Sequence, residues 1–278
     1  MEAELSRALV PDEPIDGDEK SIDRLYTLSR LKAYRALCGL PWEHLTLDAK
    51  WNDLCDAAGE VLKALGKLSH TPEQPPGFDP DRFAEGYEGC SRSNLSSGGM
   101  RGSVDAYMDD SDDRNIDRVG HRRWCLNPAM GKTGFGECGR WSAMWAMDGS
   151  GPSVGNKEAV LYPPPGYVPL DYFGARHAWS IQLLRGSSTK DKLRVEVFHL
   201  DEHYQAEGAP LELDWLDMAG GRFGGSACLV FRPVDIQVQS GERYRIQVSL
   251  DGGKSLAFDY LVEFIERAPD TDGAQSKE

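Results

Sequence analysis

Gly120-His121-Arg122-Arg123-Trp124-Cys125-Leu126-Asn127 is the stretch on which the fold reading turns. It follows the acidic run Asp109-Asp110-Ser111-Asp112-Asp113 and sets a histidine beside two arginines and a tryptophan. Upstream, Leu68-Ser69-His70-Thr71 places a second histidine at the expected end of a helix, and Ser93-Asn94-Leu95 lies between the two. Histidines from distant elements matter because imidazole titrates near neutral pH and ligates transition metals. Gly134-Phe135-Gly136 follows as a fourth block.

Around these blocks the first half of the chain reads as helices with short strands. Ile22, Leu25, Tyr26, Ser29, Ala33, Ala36 and Leu37 form one helical stripe, ended by Gly39 and Pro41. A second helix is expected from Thr46 to Leu68, burying Leu54, Ala58, Val61, Leu62 and Leu65. Residues 71–84 hold four prolines and read as a loop. Shorter helices are expected over Gly102–Asp109 and Ile116–Leu126. Thr133–Glu137 and Trp141–Met147 flank Cys138-Gly139-Arg140 as a β-hairpin.

The composition changes near Gly151. Tyr162-Pro163-Pro164-Pro165-Gly166-Tyr167 reads as a rigid extended segment. Alternating runs follow at Trp179–Leu183, Leu193–Phe198, Leu211–Leu213, Cys228–Phe231, Tyr244–Leu250 and Leu256–Ile265, with turn signals such as Asp251-Gly252-Gly253. Short strands at that spacing predict a β-sandwich.

In order and spacing, the four blocks resemble the CAP superfamily of cysteine-rich secretory proteins, antigen 5 and plant pathogenesis-related proteins, over residues 22–148. A looser resemblance reaches about residue 267. There Phe231-Arg232-Pro233 and Ser240-Gly241-Glu242-Arg243-Tyr244 are similar to immunoglobulin-like modules that follow bacterial CAP domains. The resemblance implies an α+β chain, a three-layer α–β–α sandwich followed by an all-β immunoglobulin-like sandwich. The expected division is a disordered acidic N-terminus over 1–19, a CAP domain over 20–150 and a Pro-rich linker over 151–170. An immunoglobulin-like sandwich over 171–267 and a disordered tail over 268–278 complete it.

The resemblance also implies a cleft lined by two histidines and two acids, where family members can hold a divalent metal. The histidines correspond to His70 and His121, the expected metal ligands, with zinc as the expected ion. The family Glu-Asn pair reads Ser93-Asn94 here, and its Trp-x-x-Glu pattern reads Tyr107-Met108-Asp109-Asp110. One acid is therefore missing and the other shortened to Asp110, with Glu88 as a replacement candidate. The expected binding cleft is His70, Glu88, Asn94, Asp110 and His121, and no residue is assigned as catalytic. The leading expectation is a non-enzymatic binding module for a small-molecule, lipid or peptide ligand. The alternative is a metal-dependent hydrolase using His70 and His121, with Asp110 or Glu88 assisting a bound water, although the missing second acid leaves its general base unassigned.

Bulk properties narrow the classes. The chain has 278 residues, 40% hydrophobic and 27% charged, with a formal net charge of −14. That charge disfavours nucleic acid and anionic membranes as partners. No apolar run approaches the roughly 20 residues of a membrane span. Met1-Glu2-Ala3-Glu4 lacks the start of a signal peptide. The resemblance nonetheless implies an extracellular protein, with a cytoplasmic one as the alternative. The six cysteines contain no C-x-x-C and read either as disulfides in an exported protein or as buried thiols.

Weaker signals resolve to structural readings. His199 and His203 fall in a strand-rich region rather than on a helix face. The run Asp109–Asp113 lacks the glycine and closing glutamate of an EF-hand. Ser69, Ser93 and Ser96 lack a Gly-x-Ser-x-Gly elbow. Trp124, Trp141 and Trp145 are expected to fill the core, and Tyr162 and Tyr167 to pack as part of the linker.

Overall fold

The computed structural model describes residues 2–9 and 17–267, and within them the chain is mixed α+β with six α-helices and several sheets. The expected tail at 268–278 and residues 10–16 of the expected acidic arm lie outside the described residues. Residues 2–9 correct the expectation of a disordered arm. They form helix α1 (Glu2–Leu9), which buries Leu5 and Ala8 against α2 (Glu19–Leu37). Acidic composition misleads there because two apolar side chains one helical turn apart suffice to dock a short helix. Asp18 caps α2 by accepting from the Ser21 N–H.

Helix α3 (Ala49–Leu65) starts later than the hydrophobic period predicts, because Asp48 caps it and Thr46–Leu47 are drawn into a strand, β1. Its end at Gly66, in the left-handed region at φ 66°, returns an N–H to Leu62 O. Helix α4 (Pro80–Arg92) is absent from the sequence reading, which ran the loop to residue 84. Asp79 caps it and Pro80 occupies its first turn, a pairing that marks helix starts. Its buried face is Gly86, Gly89 and Cys90, small residues that leave no hydrophobic stripe to read. Gly89 is obligatory, since a Cβ would lie 2.1 Å from Leu54 O of α3.

Strands β2 (Ser93–Ser96), β4 (Phe135–Cys138) and β5 (Trp141–Trp145) form an antiparallel sheet in the order β2-β5-β4, and β1 pairs separately with β3 (Lys132–Thr133). The expected hairpin is present as β4–β5. Alternation along β5 divides the packing: Ala143 and Trp145 join Leu54, Ala58, Leu62, Cys90 and Leu95, whereas Met144 joins Phe135, Leu31, Val104 and Met108. Helices therefore cover both faces of this sheet. Helix α5 (Ser103–Asp109) matches its expected range. Helix α6 (Gly120–Cys125) is shorter than expected, because Val119 at φ 41° interrupts any helix from Ile116.

The remaining strands make two four-stranded sheets. One is β10 (Leu213–Ala219), β11 (Ala227–Pro233), β8 (Trp179–Leu183) and β6 (Ala159–Tyr162), in that order. The other is β7 (Gly166–Pro169), β13 (Phe258–Ile265), β12 (Arg243–Ser249) and β9 (Arg194–Leu200), with β7 and β13 parallel. Trp179 of the first sheet meets Tyr244 of the second at 6.2 Å, so the sheets pack face to face. Residues 151–170 do not form a free linker: they supply an edge strand to each sheet, and the three prolines carry the chain from one to the other. Tyr162 is wholly buried and lies 6.3 Å from Tyr34 of α2, within a core shared by both halves of the chain. Tyr167 is exposed.

Candidate functional site

The site begins with how two imidazoles are held. The chain leaves α3 at Gly66, and the His70 Nδ1–H donates to Cys90 O of α4 at 2.9 Å. The His121 Nδ1–H donates to Asp110 Oδ1 at 2.7 Å, while Asp110 Oδ2 accepts the His121 backbone N–H at 2.8 Å. Tyr107 stacks on the His121 ring at 5.6 Å and donates its hydroxyl to Asn94 O. The Asn94 side chain, on β2, donates to His121 O at 3.0 Å and to Cys125 Sγ at 3.7 Å. Each ring thus uses Nδ1 for support and keeps its lone pair on Nε2.

His70, Asn94 and His121 line one cleft of about 270 Å³, together with Ser93, Gly120, Trp124, Ala146, Met147 and Phe223. Ser91, Asn115, Arg92 and Arg118 complete its lining. Three of the five expected cleft residues therefore come together. Asp110 is buried beneath His121, where its oxygens hold three N–H groups: the His121 backbone and ring, and the Arg122 backbone. Glu88 does not line the cleft; it pairs with Arg92, one turn along α4, at 3.7 Å.

That geometry tests the zinc expectation. A hydrogen-bonded Nδ1 with a free Nε2 is how metal-binding histidines are presented, but a catalytic zinc takes three protein ligands. The cleft offers two imidazole donors and no carboxylate or thiolate. Among the described residues no group of three histidine, cysteine, aspartate or glutamate side chains is placed to hold a metal ion. Two imidazoles are one donor short of the three protein ligands of a catalytic zinc.

Several residues of the site escaped the sequence reading. Trp124 was expected in the core but lines the cleft, half-buried, at 5.7 Å from Phe223. Trp145 is buried as expected and stacks on Trp51 at 5.0 Å. Phe223 comes from the β10–β11 loop of the second half, where Gly220-Gly221-Arg222-Phe223-Gly224-Gly225 carries no signal beyond flexibility. Its ring would sit 3.1 Å from a Cβ on residue 120, so Gly120 is what lets it close over the cleft.

The two arginines after His121 join the halves. Arg122 is wholly buried and donates to Met108 O, Asp109 O and Ala178 O, with its guanidinium 4.7 Å from the Tyr162 ring. Arg123 donates to Gly220 O and Arg222 O and lies 5.0 Å from the Phe223 ring. Through them, α6 positions the loop that delivers Phe223.

The remaining signals are structural. His199 is held by Glu207 at 2.9 Å and Glu242 at 2.7 Å, on the outer part of β9, away from the cleft. All six cysteines are free and five are buried, so the even count does not reflect disulfides. Burial pushes the Cys38, Cys55 and Cys90 thiols up to about 12. No helix among the described residues is long and apolar enough to cross a membrane. No protein-family model matches the chain, and no curated protein is significantly similar to it.

Proposed function

We propose that this chain is a CAP-like protein with an appended immunoglobulin-like sandwich, and that it works as a non-enzymatic binding module. The convergence of His70, Asn94 and His121 on one cleft carries this reading. These residues come from three of the four blocks that resemble the family, and they lie far apart in the chain. A three-stranded antiparallel sheet covered by helices on both faces supports the fold. The face-to-face sheets beyond residue 159 support the second module.

Binding is favoured over hydrolysis because the acid that would act as base is committed. Asp110 accepts three N–H groups beneath His121, and Glu88 is turned to Arg92. What remains is a mixed cleft with apolar walls at Trp124, Phe223 and Met147, of the kind that holds a small ligand or a peptide side chain.

A fragment screen by protein-observed NMR tests this reading, run on the full chain and on Met147→Trp, which fills the cleft from its exposed rim. Hits that shift Trp124 and His121 resonances and vanish in the variant are expected. Hits confined to other surfaces would overturn it. Ester or peptide turnover abolished by His121→Ala would instead favour the hydrolase.

A further inference from the structure

The charges around the cleft differ in sign from those of the protein that carries it. The chain has a formal net charge of −14. Yet every ionisable side chain lining the cleft is basic: Arg92, Arg118, His70 and His121. Resting on the binding reading above, we infer that the ligand is a small organic anion, a carboxylate attached to an aromatic or short apolar body.

Burial and partner geometry set the polarity. The one buried acid nearby, Asp110, does not line the cleft, and its oxygens are occupied by the His121 and Arg122 N–H groups. It holds the His121 ring with Nδ1–H pointing away from the ligand. The two guanidiniums are at the rim, about half exposed, and each rests on an exposed carboxylate of its own helix or turn: Arg92 on Glu88 at 3.7 Å, Arg118 on Asp117 at 2.8 Å, with Arg118 also donating to Arg114 O and Asn115 Oδ1. Exposed pairs of this kind contribute about 0–1 kcal/mol. A ligand carboxylate held by a charge-assisted fork inside the cleft competes with them favourably. The general negative charge of the surface does not prevent this, because at physiological ionic strength exposed charges are screened beyond about 8 Å.

The rest of the lining defines the body of the ligand. Trp124 and Phe223 meet edge to face at 5.7 Å, and Met147 and Ala146 continue the apolar wall. Buried Asn94 has its amide N–H donors engaged by His121 O and Cys125 Sγ, so it does not offer them to a ligand oxygen. Recognition of the anion therefore falls to Arg118 and Arg92 at the rim.

The test is calorimetric titration of the full chain with phenylacetate and with phenylacetamide, which keeps the ring and removes the charge. Phenylacetate is expected to bind at least tenfold more tightly. Arg118→Gln should weaken phenylacetate binding about tenfold and leave the amide unchanged. Asp117→Asn, an exposed change that removes the carboxylate paired with Arg118 and leaves its bonds to Arg114 O and Asn115 Oδ1, should tighten it several-fold. Equal binding of the two compounds, lost in Met147→Trp, would overturn the inference while leaving the binding cleft intact. Failure of phenylacetate to bind folded protein at millimolar concentration would also overturn it, with the fragment screen deciding separately whether the cleft binds anything. Unchanged phenylacetate affinity in both Arg118→Gln and Asp117→Asn would overturn it as well.

Discussion

Replacing Arg122 by methionine removes the most connected side chain between the two halves of the molecule while keeping its apolar stem. Arg122 is wholly buried, and its guanidinium donates to Met108 O at 2.7 Å, Ala178 O at 2.7 Å, Asp109 O at 2.5 Å and Ser180 Oγ at 3.1 Å. Methionine leaves Met108 O and Ala178 O without that donor, whereas Asp109 O keeps the Ser111 hydroxyl, and each buried acceptor left unpaired costs about 1–3 kcal/mol. Against this stands relief from burying a cation that has no carboxylate among these partners, a penalty of several kcal/mol in the native protein. The balance favours destabilisation, because the cation's hydrogen bonds are charge-assisted and nearly complete. A net loss of about 3 kcal/mol is expected, which lowers Tm by about 6–10 °C in a chain of this size. Equilibrium urea unfolding followed by tryptophan fluorescence and by far-ultraviolet circular dichroism reads the free-energy loss, and a thermal melt reads the shift in Tm. Separation of the two transitions is expected in the variant, since Arg122 links α5 and α6 to β8. A loss below 1 kcal/mol with coincident transitions would refute the reasoning, for it would mean that the guanidinium contributes no more than its own desolvation costs. Arg122→Lys should fall between, because an ammonium lacks the fork that reaches several carbonyls at once.

Other expectations follow from single contacts. Gly136→Ala should destabilise by more than about 2 kcal/mol in the same urea assay, since its Cβ would lie 2.2 Å from the backbone nitrogen of Asp56 on α3 and neither backbone can yield. His177 carries a pH signature: burial, and next the Arg122 guanidinium, push its pKa down from 6.5 to about 4. The unfolded chain then binds more protons than the folded one between those values, so stability is full above about 6.5 and falls as pH drops toward 4. His177→Phe, which also removes a buried Nδ1 without a partner, should flatten stability measured across that window. Cysteine titration with a thiol reagent should find no more than one reactive group in the native protein, Cys138, and six after denaturation. Two or more fast thiols in the native chain would contradict the packing around Cys38, Cys55, Cys90, Cys125 and Cys228.

Legibility followed periodicity. Helix α2 and strands β8 and β12 are found within a few residues of their expected ranges, because an apolar stripe ended by Gly39 and Pro41 marks α2, and alternation of apolar with polar residues marks β8 and β12. Helix α4 was missed because glycines and a cysteine form its contact with α3, and close approach of backbones leaves no apolar stripe. The proline-rich segment was misread as a linker because extended backbone looks alike whether it spans solvent or completes a sheet. At the site, His70, Asn94 and His121 were identifiable because each falls in a short block with a family-like order, and the cleft does bring them together.

By itself, the sequence determined most element types outside α1, α4, β6 and β7, the change of architecture near Gly151 and the acidic balance of the chain, all of which depend on local composition and repeat. Tertiary structure alone decided how the chemistry is arranged. Asp110 became a buried support rather than a cleft acid because its oxygens meet three backbone and ring N–H groups once α6 folds beside α5. Glu88 turned to Arg92 because helical spacing places them on neighbouring turns. Phe223 reached the cleft because Arg123 and Gly120 accommodate a loop from the opposite half of the chain. Hydrogen-bond saturation and close packing act between residues a hundred positions apart, and no local pattern of residues records them.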